Sequence, residues 1–179
     1  KTTPEQRKVI ENYTRELEYT VVAIIGVALK RLEPAELHYA EGRATFGVNR
    51  RKMTPDGIRS FTPNPDGPVD HAVPVLRVTN AEGRVIALVF GYAAHPTTIT
   101  TGPHFYDFSA DYPGFALEMI EKEHPDTMAM FVQGCGGDVM VHPRGKVELA
   151  RAYGSQLHQA VERALNDSLK PVRGPLKTV

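Results

Sequence analysis

The sequence predicts an α/β fold, a mixed sheet flanked by helices. Two observations carry that prediction. Segments of strand character alternate along the chain with segments of helical spacing. Two apolar runs, Val85 to Phe90 and Thr127 to Val132, also stop abruptly in small and polar residues, Gly91-Tyr92-Ala93-Ala94-His95-Pro96-Thr97-Thr98 and Gln133-Gly134-Cys135-Gly136-Gly137-Asp138. A buried strand that runs straight into such a loop holds its last residues rigidly at the crevice where α/β proteins place their sites.

The elements follow in order. Thr3 is suited to cap a helix with Pro4 at its first position and Glu5 and Glu11 early in it. Val9, Tyr13, Leu17, Thr20-Val21, Ile24 and Ala28 recur at helical spacing, which predicts one long helix to about Arg31, ended by Glu33-Pro34. Leu37 to Ala40 and Ala44 to Val48 flank Glu41-Gly42-Arg43 and read as a strand pair. Asn49 to Asp70, with Pro55, Pro63, Pro65 and Pro68, reads as a long ordered loop. Val73 to Thr79 and Val85 to Tyr92 read as strands joined by the turn Asn80-Ala81-Glu82-Gly83. A loop from His95 to about Phe108 leads to a helix capped by Ser109 or Asp111 and running to His124. Thr127 to Val132 reads as a short buried strand, Gly134 to Gly145 as a glycine-rich loop, and Val147 to about Leu169 as the last helix before Pro171.

Composition limits the function classes. The chain has 179 residues, 41% hydrophobic and 23% charged, which fits a single domain over 1–179 with a sizeable core. Lys+Arg and Asp+Glu balance at 21 each, which argues against nucleic acid as the main partner, because phosphate binding needs clustered positive charge. The longest apolar stretch, Val21 to Leu29, is too short to span a bilayer. The lone Cys135 excludes an internal disulfide. Beginning at Lys1, the chain reads as a piece of a longer protein.

His95, at a strand end, is placed to bind a metal or move a proton. A catalytic zinc usually takes three protein ligands. His104, Tyr106, Asp107 and Asp111 are the local candidates, and none has a recognised ligand spacing with His95. His38, His71, His124 and His158 read as surface or structural residues. Gln133-Gly134-Cys135-Gly136-Gly137 has the form Q-x-C-x-G, with His95 placed 40 residues upstream, so Cys135 is an alternative nucleophile activated by His95. The other reading of Cys135 is a small thiol among crowded glycines. Asn49-Arg50-Arg51 offers a guanidinium fork suited to a carbonyl or carboxylate, though adjacent arginines are commonly solvated charges.

Taken together, Asn49-Arg50-Arg51, Leu76-Arg77-Val78 before Glu82-Gly83, Ala94-His95-Pro96-Thr97, Ser109-Ala110-Asp111-Tyr112-Pro113-Gly114 and Phe131 to Val139 resemble the neutral/alkaline (non-lysosomal) ceramidase family, in the middle of its large N-terminal catalytic domain. The resemblance implies a fragment of a larger domain. It also implies a zinc-dependent hydrolase of the N-acyl bond of a lipid or related amide, and a secreted or periplasmic setting. His95 matches the histidine of the family's H-P-T segment, which implies a zinc ligand. Arg50 matches the arginine of its N-R-S segment, near the substrate amide, which implies a substrate contact for Arg50 beside Asn49. The chemistry implied is attack of zinc-polarised water on the amide carbon, with a positive group stabilising the oxyanion.

Three departures accompany the resemblance. The family's first zinc histidine belongs before Lys1. Its glutamate and tyrosine ligands belong after Val179, so this piece alone is expected to bind zinc weakly and to be inactive. Where the family reads G-D-V-S-P-N, this chain reads Gly137-Asp138-Val139-Met140-Val141-His142, with Met140 in place of the serine. A non-catalytic, ceramidase-like binding module is the remaining alternative.

Overall fold

The computed structural model describes residues 2–175; Lys1 and 176–179, the ends of the domain expected over 1–179, lie outside the described residues. The elements in chain order are α1 (Pro4–Lys30), β1 (Ala35–Arg43), β2 (Gly47–Thr54), β3 (Gly57–Asn64), β4 (Ala72–Asn80), β5 (Val85–Tyr92), α2 (Asp111–Glu123), β6 (Met128–Gln133), β7 (Val139–Val141), α3 (Val147–Asn166) and β8 (Lys170–Val172). The chain divides into two units, Lys1–Pro34 and Ala35–Val179.

The first unit is the long helix that the spacing of Val9, Tyr13 and Leu17 predicts. Thr3 accepts from the Gln6 amide while the Gln6 side chain accepts from the Thr3 amide, so two amides that the helix cannot satisfy are capped reciprocally. Among the described residues no helix is long and apolar enough to cross a membrane.

The second unit holds two sheets. A five-stranded sheet has the order β6-β5-β4-β1-β8, and a three-stranded sheet the order β3-β2-β7. β5 and β6 run parallel and every other pair is antiparallel, so the larger sheet is mixed, as predicted. The β4–β5 hairpin forms at Asn80 to Gly83, where Asn80 accepts from the Arg84 amide through its side chain. The parallel β5–β6 neighbours need a crossover, and α2 supplies it.

Period-2 alternation places Val73 and Val75 of β4, and Leu88, Phe90 and Tyr92 of β5, on one face with Ala40 and Ala129. That face packs on α2 and α3, whose Ala116, Ile120, Leu157, Ala160 and Val161 are fully buried. Between the sheets, Phe46 is surrounded by Tyr92, Tyr112 and Tyr153, with ring centroids 4.7, 5.1 and 4.9 Å away. The Tyr92 hydroxyl donates to Ala44 O (3.1 Å) and accepts from Gly47 N (3.0 Å), pinning both ends of the β1–β2 connection.

Several expectations are corrected. The segments around Glu41-Gly42-Arg43 are not a strand pair. β1 continues through Gly42 to Arg43, paired with β4 and β8, while β2 belongs to the other sheet. Gly42 reads as a turn but answers to packing, because a Cβ there would collide with the Ala160 carbonyl of α3. The proline-rich segment is a loop only beyond Asn64. Arg51 to Thr54 and Gly57 to Ser60 form a hairpin turning at Pro55-Asp56, and Pro63 falls on β3, an edge strand that needs no donor there. Neither Ser109 nor Asp111 is the N-cap of α2: that position is Ala110, with no side-chain cap bond, and Asp111 divides its carboxylate between Tyr112 N and the loop after His95. β6 is an edge strand with Met128, Met130 and Val132 exposed, not a buried one. The glycine-rich stretch contains β7, and α3 ends at Asn166, where Asp167 is its C-cap.

Two outcomes follow from this packing. Gly42→Ala forces β1 away from α3 and is expected to lower stability by about 1–3 kcal/mol in urea unfolding; an unchanged midpoint would show that the approach relaxes freely. Burial pushes the Tyr92 phenol up to about 12. A raised native value means the folded state keeps the proton, so this contribution is complete below pH ~10, the unfolded value, and is lost as pH rises through the native one. The urea midpoint should therefore fall between those limits, more steeply in wild type than in Tyr92→Phe; parallel curves would contradict it.

Candidate functional site

The site is built where β5 and β6 end side by side. Beyond Tyr92 the chain runs through Ala93-Ala94 to His95, and beyond Gln133 it folds back over that segment. Gly136 lies directly on it: a Cβ there would meet Ala93 C and Ala94 N at 2.8 Å, so any side chain would drive the two loops apart. Gln133 Nε2 donates to Ala94 O (3.2 Å) and Gly134 N to Tyr92 O (3.0 Å), fastening the junctions together. His95 N donates to Val139 O at 3.1 Å, and His95 forms a parallel bridge with Met140.

The loop beyond His95 is held from α2. Asp111, 6% exposed, accepts from Thr98 N (2.7 Å), Ile99 N (3.1 Å) and the Thr98 hydroxyl, and from Tyr112 N (2.8 Å) at the start of its own helix. It does so at φ 53°, a left-handed conformation that a non-glycine residue adopts at a cost these bonds offset. The Tyr112 hydroxyl donates to Ala94 O at 2.6 Å, and burial raises that phenol far above its ordinary value.

Arg50 reaches His95 from the other sheet. The β2–β3 register shifts between Asn49 and Arg51, so Arg50 has no partner on β3 and its side chain leaves the ladder. Arg50 N donates to Asp138 O (2.7 Å), while Nε and an η-nitrogen donate to Gly137 O at 3.2 and 2.9 Å. The same η-nitrogen lies 3.1 Å from His95 Nε2. A guanidinium only donates, so Nε2 accepts through its lone pair and Nδ1 carries the proton. The ring of Phe61 lies 4.5 Å from the Arg50 guanidinium carbon, a cation–π contact that fixes its plane.

The two residues that the sequence singles out, Arg50 and His95, are therefore in contact. Asn49 is buried and occupied: its amide donates to Pro68 O (2.9 Å) and Asp138 Oδ2 (3.1 Å) and accepts from Arg51 N (2.9 Å), tying β2 to the loop that carries Gly137. Met140 is 3% exposed beside His95, so its thioether is part of the packing. Cys135 is exposed and borders an apolar hollow with Tyr39, Pro74, Gly91 and Val132 on the open face of the larger sheet. Among the described residues no hydrogen bond joins Cys135 to His95.

The other local candidates stay apart from His95. His104 Nδ1 pairs with Asp107 Oδ2 at 2.8 Å on the surface, Tyr106 is exposed, and Asp111 is spent on the Thr98 loop. Among the described residues no set of three His, Cys, Asp or Glu donors includes His95, which leaves fewer than the three protein ligands a catalytic zinc usually takes. Sequence reasoning missed Phe61, which gives no local signal; it named Asp111 as a helix cap and a ligand candidate, not as the anchor of the Thr98 loop.

No family model matches the sequence, and no curated protein matches it. Solved structures do. A ceramidase complexed with C2 superposes with a TM-score of 0.63 and 22% identity, over 83% of this chain and 25% of that one. A neutral ceramidase from Pseudomonas aeruginosa gives a TM-score of 0.62 and 21% identity, over 84% of this chain and 26% of that one. The chain thus spans about a quarter of the length of the solved ceramidases it matches. At this identity the likeness is one of fold: a mixed α/β unit with the fold of a fragment of a larger ceramidase chain.

Proposed function

We propose that this chain is part of a ceramidase-like, zinc-dependent hydrolase of an N-acyl amide bond, with His95 as one metal ligand and Arg50 as a substrate contact. The observation that carries the reading is the 3.1 Å contact between the Arg50 guanidinium and His95 Nε2 at the shared end of β5 and β6. The ceramidase fold supports it, since those solved relatives are named for a lipid amide. The remaining ligands belong outside this chain, and the substrate is a lipid or small-molecule amide.

The chain's own residues account for part of the chemistry. Gly137 O and Phe61 hold the guanidinium in one plane, so its fork is pre-organised for a carbonyl oxygen and for the charge that develops there on attack. His95 has one lone pair on Nε2. Ligation through that nitrogen releases the Arg50 η-nitrogen for the substrate, so the contact seen here couples the two roles. A zinc ion at such a centre supplies Lewis acidity and an acidified water. Asn49 positions Arg50 by tying Asp138 to β2.

A second reading is favoured by Met140, buried beside His95 where the resembled family carries serine. It is a non-catalytic module that keeps the fold and lacks turnover.

Full-length protein containing this chain decides between them. The hydrolase reading predicts about one zinc per chain at this centre, lost in His95→Ala together with hydrolysis of short-chain N-acyl amides. Arg50→Lys should retain zinc and lower kcat by about 10²-fold, because lysine lacks the fork. A zinc content that does not fall by about one ion per chain in His95→Ala would remove the ligand assignment. Folded, zinc-loaded wild type with no amide turnover would favour the non-catalytic module, and turnover blocked by thiol alkylation but not by a chelator would favour Cys135.

A further inference from the structure

A second cluster lies at the other end of α2. Asp111, at the helix start, binds the loop that follows His95; Glu123 is 12 residues further along, about 18 Å along the axis. There α2 ends against α3, and His158 and Glu162 of α3, one turn apart, share a face. His158 Nε2 lies 3.1 Å from Glu123 Oε2 and 3.9 Å from Glu162 Oε1. One donor atom from each of the three residues falls within 4.8 Å of the others.

Two further observations point to a ligand. His158 is only 9% exposed, and its Nε2, buried and aimed into the cluster, makes no hydrogen bond of acceptable geometry despite the nearby carboxylates. A nitrogen in that position is either a cost to the fold or a donor to something that binds there. The charge balance decides the sign of what binds. Two carboxylates flank the imidazole, and Glu123 stands at the C-terminal, negative end of the α2 dipole, where an acidic side chain is unfavourable unless a cation accompanies it.

We propose that Glu123, His158 and Glu162 bind one divalent transition-metal ion that staples α2 to α3. Donors about 2.1 Å from a shared tetrahedral ion are about 3.4 Å apart, which this cluster reaches with small side-chain movements. One imidazole and two carboxylates suit Zn²⁺ or Co²⁺. His124 Nε2 hydrogen-bonds Glu162 Oε1 at 2.9 Å and orients that carboxylate, the support that metal ligands usually have. Glu123, with its side chain 55% exposed, leaves a solvent path for the ion and for a water as fourth ligand. This site is separate from the centre at His95 and does not depend on it.

The test is titration of the full chain with Zn²⁺ by calorimetry and with Co²⁺ by visible absorption, both in a His95→Ala background. One ion per chain is expected, with tetrahedral cobalt bands and a zinc-dependent rise in melting temperature. Glu123→Gln, at an exposed position that does not endanger folding, and His158→Gln should each weaken binding 10-fold or more and remove the thermal shift. No saturable binding at millimolar metal, or affinity unchanged in both variants, overturns the site.

Discussion

Two loops occupy one space because residue 136 has no side chain. The approach of Gly136 to Ala93-Ala94 lets the segment after β6 fold back over the segment after β5. Everything at the candidate site depends on that. It places Val139 O on the His95 amide, sets Met140 beside His95, and presents Gly137 O to Arg50. β7 then pairs with β2, so the second sheet is attached through the same fold-back. A single side chain at this position would separate the strand ends and the sheets together.

Around that contact the polar groups are satisfied by buried partners. Asp111 binds the loop after His95 from the start of α2, and Tyr112, the next residue, holds Ala94 O. Tyr92 and Tyr112 meet Phe46 in one aromatic group, so the hydroxyls that fix the loops and the rings that fill the core belong to the same side chains. Packing and site geometry are therefore coupled: loosening the aromatic group loosens the loop that carries His95. The apparent cost is the left-handed backbone at Asp111, which its own carboxylate bonds compensate.

Much of the fold was legible where local rules and tertiary packing agree. The Thr3-Pro4 start of α1, the Asn80 to Gly83 hairpin and the glycine junctions after β5 and β6 each form where their residues point. Legibility failed where a residue answers to a distant neighbour. Gly42 looks like a turn but makes room for an α3 carbonyl. Pro55 and Pro63 look like loop residues but sit at a hairpin turn and on an edge strand, where a missing amide costs little. Asp111 looks like a cap and does accept from Tyr112 N, yet its other partners are Thr98 and Ile99 across the loop. At the site, Arg50 and His95 were readable as residues through the family resemblance. Their contact was not, because it depends on the irregular β2–β3 register and on Phe61, neither of which leaves a local mark.

Arg50 and His95 form one unit, with the guanidinium donating to the Nε2 lone pair. The direct measurement is ¹⁵N NMR of the His95 imidazole in the chain itself, comparing wild type with Arg50→Ala. The expected result is a neutral ring protonated on Nδ1, with an Nε2 signal that moves towards a free lone pair when the guanidinium is removed. A ring protonated on Nε2, or an Nε2 signal indifferent to Arg50→Ala, would contradict it.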